Sequence, residues 1–572
     1  MDREVLYSKT ESEVSRLRQA WPFWCFLAVL LLSFFPAWLD VLPQRDVAFR
    51  YAPMAEAFRD CDFVYAFHPR TGFLHTFIAG IIAWTLGCSG FLACKISSLV
   101  FMSLSVFPLY GLMRRVYSRA MAEICTFVFV LASQLQHLGW SGLRDAHKCF
   151  LILLAAWALL TICQERKKWT GYLWLGTAAG LGVVTRGDLV LYMSLVFFWG
   201  IVLEMKLKSF PWRSLAGSAV LLAFSLPAIV LNWYIAGVAV PEIRFAWLFQ
   251  KAVHRYPGLT DTLPLMAAGI AAGFLAAFLV RRLVDAGFGK WLFGAGVLLL
   301  AGLLTWRIFS PEFYLEISVR SYFGAVLKGF FPVYAIVGLV GIGVRLVRKE
   351  WTKEESILAG LLFGHAILVC SQVILNDGFL YVSSRYLVPA VPLEFAWSVT
   401  GILFLWGVLT GWVRKKHPRL VTFVGCTAFS LTVCGFLYDY YNPLIRDYLI
   451  VSPKQHEFYS SLRWIADVIR RDYQGPAEFR PEVDPGLYIP KYNPRILFLK
   501  YREWKNQMTP FFGRLILSAY LARGSVTDNL KEADYIVELY SEKDRLPPGL
   551  VLMQKNIIGK EEYRIWKWKR GK

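Results

Sequence analysis

The sequence is short of charge. Only 18% of its 572 residues are Asp, Glu, Lys or Arg, against about 25% in an average soluble chain. Acid is scarcer than base, with 41 Asp plus Glu facing 62 Lys plus Arg. Cysteine builds no framework. Ten are present, most lie inside apolar runs, no Cys-x-x-Cys occurs and none follows Cys434. That excludes a disulfide-stapled secreted scaffold and leaves buried thiols as the ordinary reading. Solenoid-type repeats and low-complexity tracts are also missing. What is there is apolar: 56% hydrophobic, 16% aromatic, mean hydropathy +0.45. Apolar runs of about 17–25 residues recur from Trp21 to Leu437, each long enough to cross a bilayer. A soluble enzyme and a disordered chain are thereby excluded. The expected fold class is a polytopic α-helical membrane protein.

The net charge of +21 could suggest nucleic acid on a soluble chain. Here the base sits in short clusters at alternate ends of apolar runs, where it orients helices, so no nucleic-acid partner is expected. The clusters are Arg3 to Arg18, Arg114 to Arg119, Arg166 to Lys168, Lys206 to Arg213, Arg281 to Lys290, Arg345 to Lys353, and Arg414 to Arg419. The positive-inside rule assigns them to the cytoplasm. Alternation then predicts about 13 transmembrane helices, near 21–39, 91–113, 120–138, 146–164, 171–185, 188–204, 214–235, 263–280, 291–306, 324–344, 356–375, 387–412 and 420–438. The first run lacks a polar cleavage region and reads as an anchor.

Four regions follow: a cytoplasmic N-terminus at 1–20, a membrane domain at 21–438, its first external loop at 40–72, and an external tail at 439–572. Residues 73–87 are apolar but too short to count as a span, and read as a helix lying at, or re-entering from, the outer surface. Thr185-Arg186-Gly187-Asp188 breaks the run 171–204 into two spans. The tail carries a helix-like stretch (455–471) and β-like runs at 496–500, 534–540 and 562–569, which predict a small α/β domain.

Polar residues concentrate at the external ends. The first loop is densest, and its stretch 47–58 alternates like a surface helix, with Pro53 able to start a turn or kink it. Each polar residue has an ordinary explanation by itself. Asp145 in a first helical turn suits the macrodipole, and Arg385 with Tyr386 suits an interfacial anchor. Together, two acids (Asp46, Asp145) and several cations (His68, Lys148, Arg186, Arg385) come from five segments at one predicted membrane face. A carboxylate can deprotonate a hydroxyl, and Arg and Lys can hold a phosphate leaving group.

Several stretches carry a family likeness. They are Arg45-Asp46 followed by Arg50-Tyr51-Ala52, then His68-Pro69-Arg70, Gly142-Leu143-Arg144-Asp145-Ala146, Gly180 to Gly187, and Ser384-Arg385-Tyr386-Leu387-Val388-Pro389-Ala390-Val391-Pro392. In order and spacing this set resembles the GT-C superfamily of membrane glycosyltransferases. The branch it looks most like holds the protein O-mannosyltransferases and the lipid A aminoarabinose transferases. The likeness covers roughly residues 20–440. Val47 stands where the family has Glu, and Arg70 where it has a second Pro. A lone carboxylate at Asp46 is a weak divalent site, so no cofactor is expected. The tail has no Trp-Trp-Asp, which speaks against an oligosaccharyltransferase.

The resemblance implies an enzyme that moves one sugar from a polyprenyl-phosphate donor to an acceptor hydroxyl outside the membrane, with inversion. The acceptor is a lipid, a glycan or a protein. Asp46 would be the base and Asp145 would orient the acceptor or a basic residue. Arg385, Arg186, Lys148 and His68 would hold the phosphate, with Tyr51 and Tyr386 lining the site. The expected location is a bacterial inner membrane, the active site facing outward. The rival classes are a transporter or flippase of a lipid-linked substrate, and a glycan polymerase or ligase. Transporters usually carry mid-depth charges and inverted repeats, and the sequence has few of the former and none of the latter.

Overall fold

The computed structural model describes residues 19–39, 46–66, 72–165, 167–205, 210–236, 259–308, 332–375, 384–448 and 453–473, and in the C-terminal part 479–480, 491–492, 495–499, 525–526, 533–540, 548–558 and 561–568. Helices lie on all thirteen predicted runs. They are α1 (Trp21–Leu39), the pair α5 (Gly90–Leu104) and α6 (Val106–Val116), the pair α7 (Arg119–Leu131) and α8 (Ser133–Trp140), α9 (Asp145–Gln164), α10 (Trp169–Thr185), α11 (Gly187–Glu204), α12 (Trp212–Ala236), α13 (Leu259–Asp285), α14 (Gly289–Ile308), α15 (Pro332–Val347), α16 (Lys353–Leu375), α17 (Phe395–Lys416) and α18 (Pro418–Tyr448).

Among the described residues, six helices are long and apolar enough to cross a membrane, or seven if α7 and α8, bent by 60°, form one span. Helix length among the described residues thus supports six or seven of the thirteen expected spans. Charge punctuation is one reason: α10 stops after 17 residues, where Arg186 takes an extended backbone (φ −164°). At about 1.5 Å per residue such a helix falls short of a bilayer core.

The first loop departs from a simple hydrated connection. Asp46 opens a wide turn (Val47–Tyr51) that runs into α2 (Ala52–Arg59) and the short α3 (Phe63–Ala66). Pro53 sits in the first turn of α2, where its missing N–H costs nothing. Far from lying on the surface, α2 buries every residue from Ala52 to Phe58. Its Phe58 ring meets Phe77, and its Glu56 carboxylate accepts from the Gly90 amide at 2.6 Å.

The segment read as a surface helix is α4 (Leu74–Leu86), ended by a left-handed Gly87. It buries His75, Thr76, Ala79, Gly80 and Ala83 in a stripe, and exposes Phe77, Ile81, Trp84 and Leu86 on the other side. A helix apolar on both faces suits contact with protein on one side and lipid on the other.

At the opposite end of the bundle Thr352 and Glu355 form a reciprocal cap on α16: the Thr352 amide donates to Glu355 at 2.9 Å, and the Glu355 amide to Thr352 Oγ1 at 3.2 Å. The same fully buried carboxylate accepts from Arg345 on α15, from Tyr117 after α6, and from Trp397 on α17. Between α15 and α17 the backbones touch. A Cβ at Gly341 would lie 1.9 Å from the Trp397 carbonyl oxygen, and one at Gly401 would lie 1.9 Å from that of Val337.

The tail contains α19 (Pro453–Asp472), a two-stranded ribbon of β1 (Phe479–Arg480) and β2 (Lys491–Tyr492), and five further strands: β3 (Arg495–Leu499), β4 (Ser525–Val526), β5 (Tyr535–Tyr540), β6 (Leu550–Ile558) and β7 (Glu561–Trp568). The five-stranded sheet has the order β4-β3-β5-β7-β6, with β3 parallel to β4 and β5, and β7 antiparallel to β5 and β6. The helix and the strands β3, β5 and β7 stand on the predicted runs. Sequence reading missed the two-residue strands β1, β2 and β4, and also β6, whose Leu550–Ile558 run shows no clean alternation.

Candidate active site

Four chain segments meet at one end of the bundle. The wide turn after Asp46 is the first. The second is the head of α9, where Gly142 adopts φ +77° and lets the chain turn sharply into Arg144 and Asp145. The break between α10 and α11 supplies Arg186. The fourth is the short helical turn Ser384–Tyr386, which leads through a Pro-containing 3₁₀ stretch (Val388–Glu394) into α17.

Two acid–base pairs tie these segments together. Arg385 donates to the Asp46 carboxylate. Arg186 Nη1 donates to Asp145 Oδ1 at 2.5 Å, with both side chains buried. Main-chain oxygens take further donors: Lys148 Nζ reaches the Tyr386 carbonyl at 3.0 Å, and Arg144 reaches the Thr185 carbonyl at 3.2 Å. The aromatics carry the guanidinium groups. Arg186 lies 4.4 Å and Arg385 5.5 Å from the Tyr386 ring centre, and Arg144 lies 5.7 Å from that of Tyr51.

Burial by itself would raise the pKa of Asp46. The facing Arg385, with Arg50 and Arg144 beyond it, overcomes this and pulls the carboxyl down to about 2. Burial pushes the Tyr51 hydroxyl up to about 12. Desolvation works against the Arg385 charge, but Asp145 and Asp46 outweigh it, and its proton is held more firmly than usual.

Of the residues that sequence reading singled out, Asp46, Tyr51, Asp145, Lys148, Arg186, Arg385 and Tyr386 are brought to this one place. His68 lies outside the described residues, as do Arg45, Pro69 and Arg70. Sequence reading missed Arg144 as a site cation, although the quoted motif contains it. It also missed Arg50, which sits one turn beyond Asp46, and fully buried His75. A lone His in an apolar helix was the available signal for the last.

Residues 68–233 match the family model described as dolichyl-phosphate-mannose-protein mannosyltransferase. Among solved structures, the chain is similar to the Archaeoglobus fulgidus oligosaccharyltransferase in complex with Zn and sulfate, at 13% identity and a TM-score of 0.52, over 91% of this chain and 68% of that one. It is similar to the same enzyme tethered by a disulfide to an acceptor peptide containing the NVT sequon, at 13% identity and a TM-score of 0.50, over 91% and 65% of the two chains. ArnT from Cupriavidus metallidurans bound to undecaprenyl phosphate aligns at 13% identity and a TM-score of 0.47, over 95% and 97%. No curated protein matches. At such identity the archaeal likeness is one of fold. The family model covers less than half of the chain, and beyond it the likeness is one of fold.

Proposed function

We propose that this chain transfers a single sugar from a polyprenyl-phosphate donor to an acceptor hydroxyl, with inversion, at the external face of a bacterial inner membrane. The matching family is described by a lipid-phosphate sugar, dolichyl-phosphate-mannose. The observation that carries the reading is the convergence of Arg50, Arg144, Arg186 and Arg385 on two carboxylates, with Lys148 on the adjoining Tyr386 carbonyl, from segments far apart in sequence. Such a setting suits a phosphate diester on one side and a hydroxyl on the other. Thirteen spans, the outward-facing site and the external tail belong to the same proposal.

In this reading the acceptor oxygen attacks the anomeric carbon from the face opposite the phosphate. The bond from that carbon to the phosphate oxygen breaks, and polyprenyl phosphate leaves with the electron pair. The hydroxyl proton passes to Asp46. One displacement needs one base, as in inverting hydrolysis. Arg385 has a double use: without donor it neutralises Asp46, and an arriving phosphate competes for the same guanidinium. Drawing Arg385 towards phosphate frees Asp46 to act as base, so the base works only when a donor is present. Arg186, steadied by Asp145 and Tyr386, would share the phosphate charge, and Lys148 would hold the Tyr386 main chain in place. The catalysis is proposed to be metal-independent: each carboxylate already holds an arginine, and a divalent ion here would face the five basic groups.

The test is turnover of a polyprenyl-phosphate sugar by the purified protein in detergent. Asp46→Asn keeps size and hydrogen bonding but removes basicity, and should slow transfer by about 10²- to 10⁴-fold. Donor binding should survive it. Unchanged turnover in Asp46→Asn would remove Asp46 from the role. The control is Asp40, which follows the first apolar run in the sequence: if Asp40→Asn alone abolished transfer, the base would be Asp40.

A further inference from the structure

The turn that carries Arg144 and Asp145 is held from behind by side chains outside the acid–base pairs. His75 on α4 lies fully buried, with Nε2 at 3.0 Å from the Gly142 carbonyl oxygen. Ser98 on α5 donates to the next carbonyl, that of Leu143, at 2.8 Å. Its neighbour Ser97 sits between two imidazoles, 3.5 Å from His75 Nδ1 and 3.2 Å from His147 Nε2. His147 is stacked on Phe101 with ring centres 3.8 Å apart, and its Nδ1 has no hydrogen-bond partner among the described residues.

Donor and acceptor chemistry fixes the protons. A carbonyl oxygen only accepts, so His75 Nε2 must carry hydrogen. Neutral His75 then offers Nδ1 as an acceptor, which the Ser97 hydroxyl fills. A hydroxyl has one hydrogen, so towards His147 the Ser97 oxygen accepts, and His147 Nε2 is the donor. His147 Nδ1 is left bare, which agrees with its lack of a partner. Burial holds His75 well below the usual imidazole range, at about 3, so the neutral form is the resident one.

We propose that His75 is a positioning residue: it ends a one-way hydrogen-bond chain, from His147 through Ser97 and His75 to the Gly142 carbonyl, that sets the turn presenting Arg144 and Asp145. The consequence is geometric. Gly142 is in the left-handed region and can rotate freely, and its two flanking peptide planes aim everything up to Asp145. With His75 and Ser98 on successive carbonyls, Arg144 is directed at Thr185 and Asp145 at Arg186. The α4 helix thus ties the helical stretch after the first loop to the turn that carries Arg144 and Asp145.

The effect on catalysis rests on the glycosyl-transfer reading, whereas the effect on the turn does not. Two readouts on the full chain in detergent therefore separate them. In hydrogen exchange followed by mass spectrometry, His75→Phe keeps the packing volume but removes the donor, and should raise exchange about tenfold in the peptide covering residues 141–146. His75→Gln places an N–H near the Nε2 position and should restore protection. Turnover with a polyprenyl-phosphate sugar should fall about tenfold or more in kcat for His75→Phe, with donor KM little changed, and should recover in His75→Gln. Should His75→Phe fail to insert and fold, Ser97→Ala reads the same chain and should loosen the same peptide to a lesser degree. Wild-type protection in both His75→Phe and Ser97→Ala overturns the proposal, as does equal damage from His75→Phe and His75→Gln. Loosened exchange with rescue by Gln, in a protein whose wild type transfers no sugar, upholds the positioning role and sinks the functional reading.

Discussion

Arg385 holds Asp46 in the resting site, and burial and charge act on that carboxylate in opposite directions. The guanidinium wins, taking Asp46 from 3.8 to about 2. A lowered folded value stabilises the protein above the unfolded value of 3.8, and that stability is lost as pH falls towards about 2. The kinetic consequence is sharper. With Asp46 as the proposed base, transfer needs its carboxylate ionised, so the acid limb of kcat/KM, which reports free enzyme, should lie near 2 and leave a flat profile above about pH 4. In the donor complex the phosphate competes for Arg385, so the acid limb of kcat should move upward. Profiles measured down to about pH 3 check this, and coincident limbs would show that Arg385 stays on Asp46. Arg385→Ala should weaken donor binding by about 10- to 100-fold, the worth of a charged hydrogen bond. Arg385→Lys should recover only part of it, because a point charge lacks the fork. Calorimetric titration with polyprenyl phosphate reads both, and wild-type affinity in the alanine variant would make Arg385 an interfacial anchor only.

The contact of α15 with α17 shows how much an element depends on an absent atom. With a Cβ at Gly341 or Gly401 placed 1.9 Å from a facing carbonyl oxygen, the helices must separate. That separation would draw Trp397 and Arg345 away from Glu355, the carboxylate that joins α15, α16 and α17 to the end of α6. Gly341→Val and Gly401→Val are each expected to destabilise the folded protein by about 1–3 kcal/mol or more, read as a lower midpoint of thermal unfolding in detergent. Gly343, with open space around its Cβ position, is the control and should tolerate Ala. Hydropathy had announced both helices, but nothing in the pattern distinguished the two contact glycines from the other 41 of the 43 in the chain. The same limit applied to α2, whose alternation suggested a surface helix. Its Ala and Met residues are buried because α4 and α5 close over them, a tertiary fact that no local period encodes.

Over the whole molecule, charge clusters and helix ends divide the bundle. Asp46, Asp145, Arg186 and Arg385 gather at one end. Arg115, Arg345 and Glu355 gather at the other, where Arg115 meets Gln164 at the far end of α9. The basic clusters used for orientation include Arg115 and Arg345, so the positive-inside rule predicts an outer side for the candidate site, as the proposed function requires. Reporter fusions after Lys416 and after Arg570 should then report opposite sides of the membrane, the first cytoplasmic and the second external. Same-side signals would overturn the thirteen-span topology and, with it, the outward-facing site.

The sequence by itself determined that this is a multi-helix membrane protein, where its helices run, and which short polar motifs break them. Those features are local: apolar run length, basic clusters and turn residues act within a few positions of where they stand. The motif residues Asp46, Asp145, Arg186 and Arg385 were legible as candidates for the same reason, since charge next to an apolar run is conspicuous. Their partners were not. That Asp46 meets Arg385, 339 residues away, and that Asp145 meets Arg186 rather than its neighbour Arg144, follows from how four segments pack together. Nor could the sequence assign His75, whose ring makes sense only against the Gly142 carbonyl 67 residues on. Only the tertiary structure decides such pairings, because a buried charge or imidazole is stable solely where the packed chain delivers it a partner.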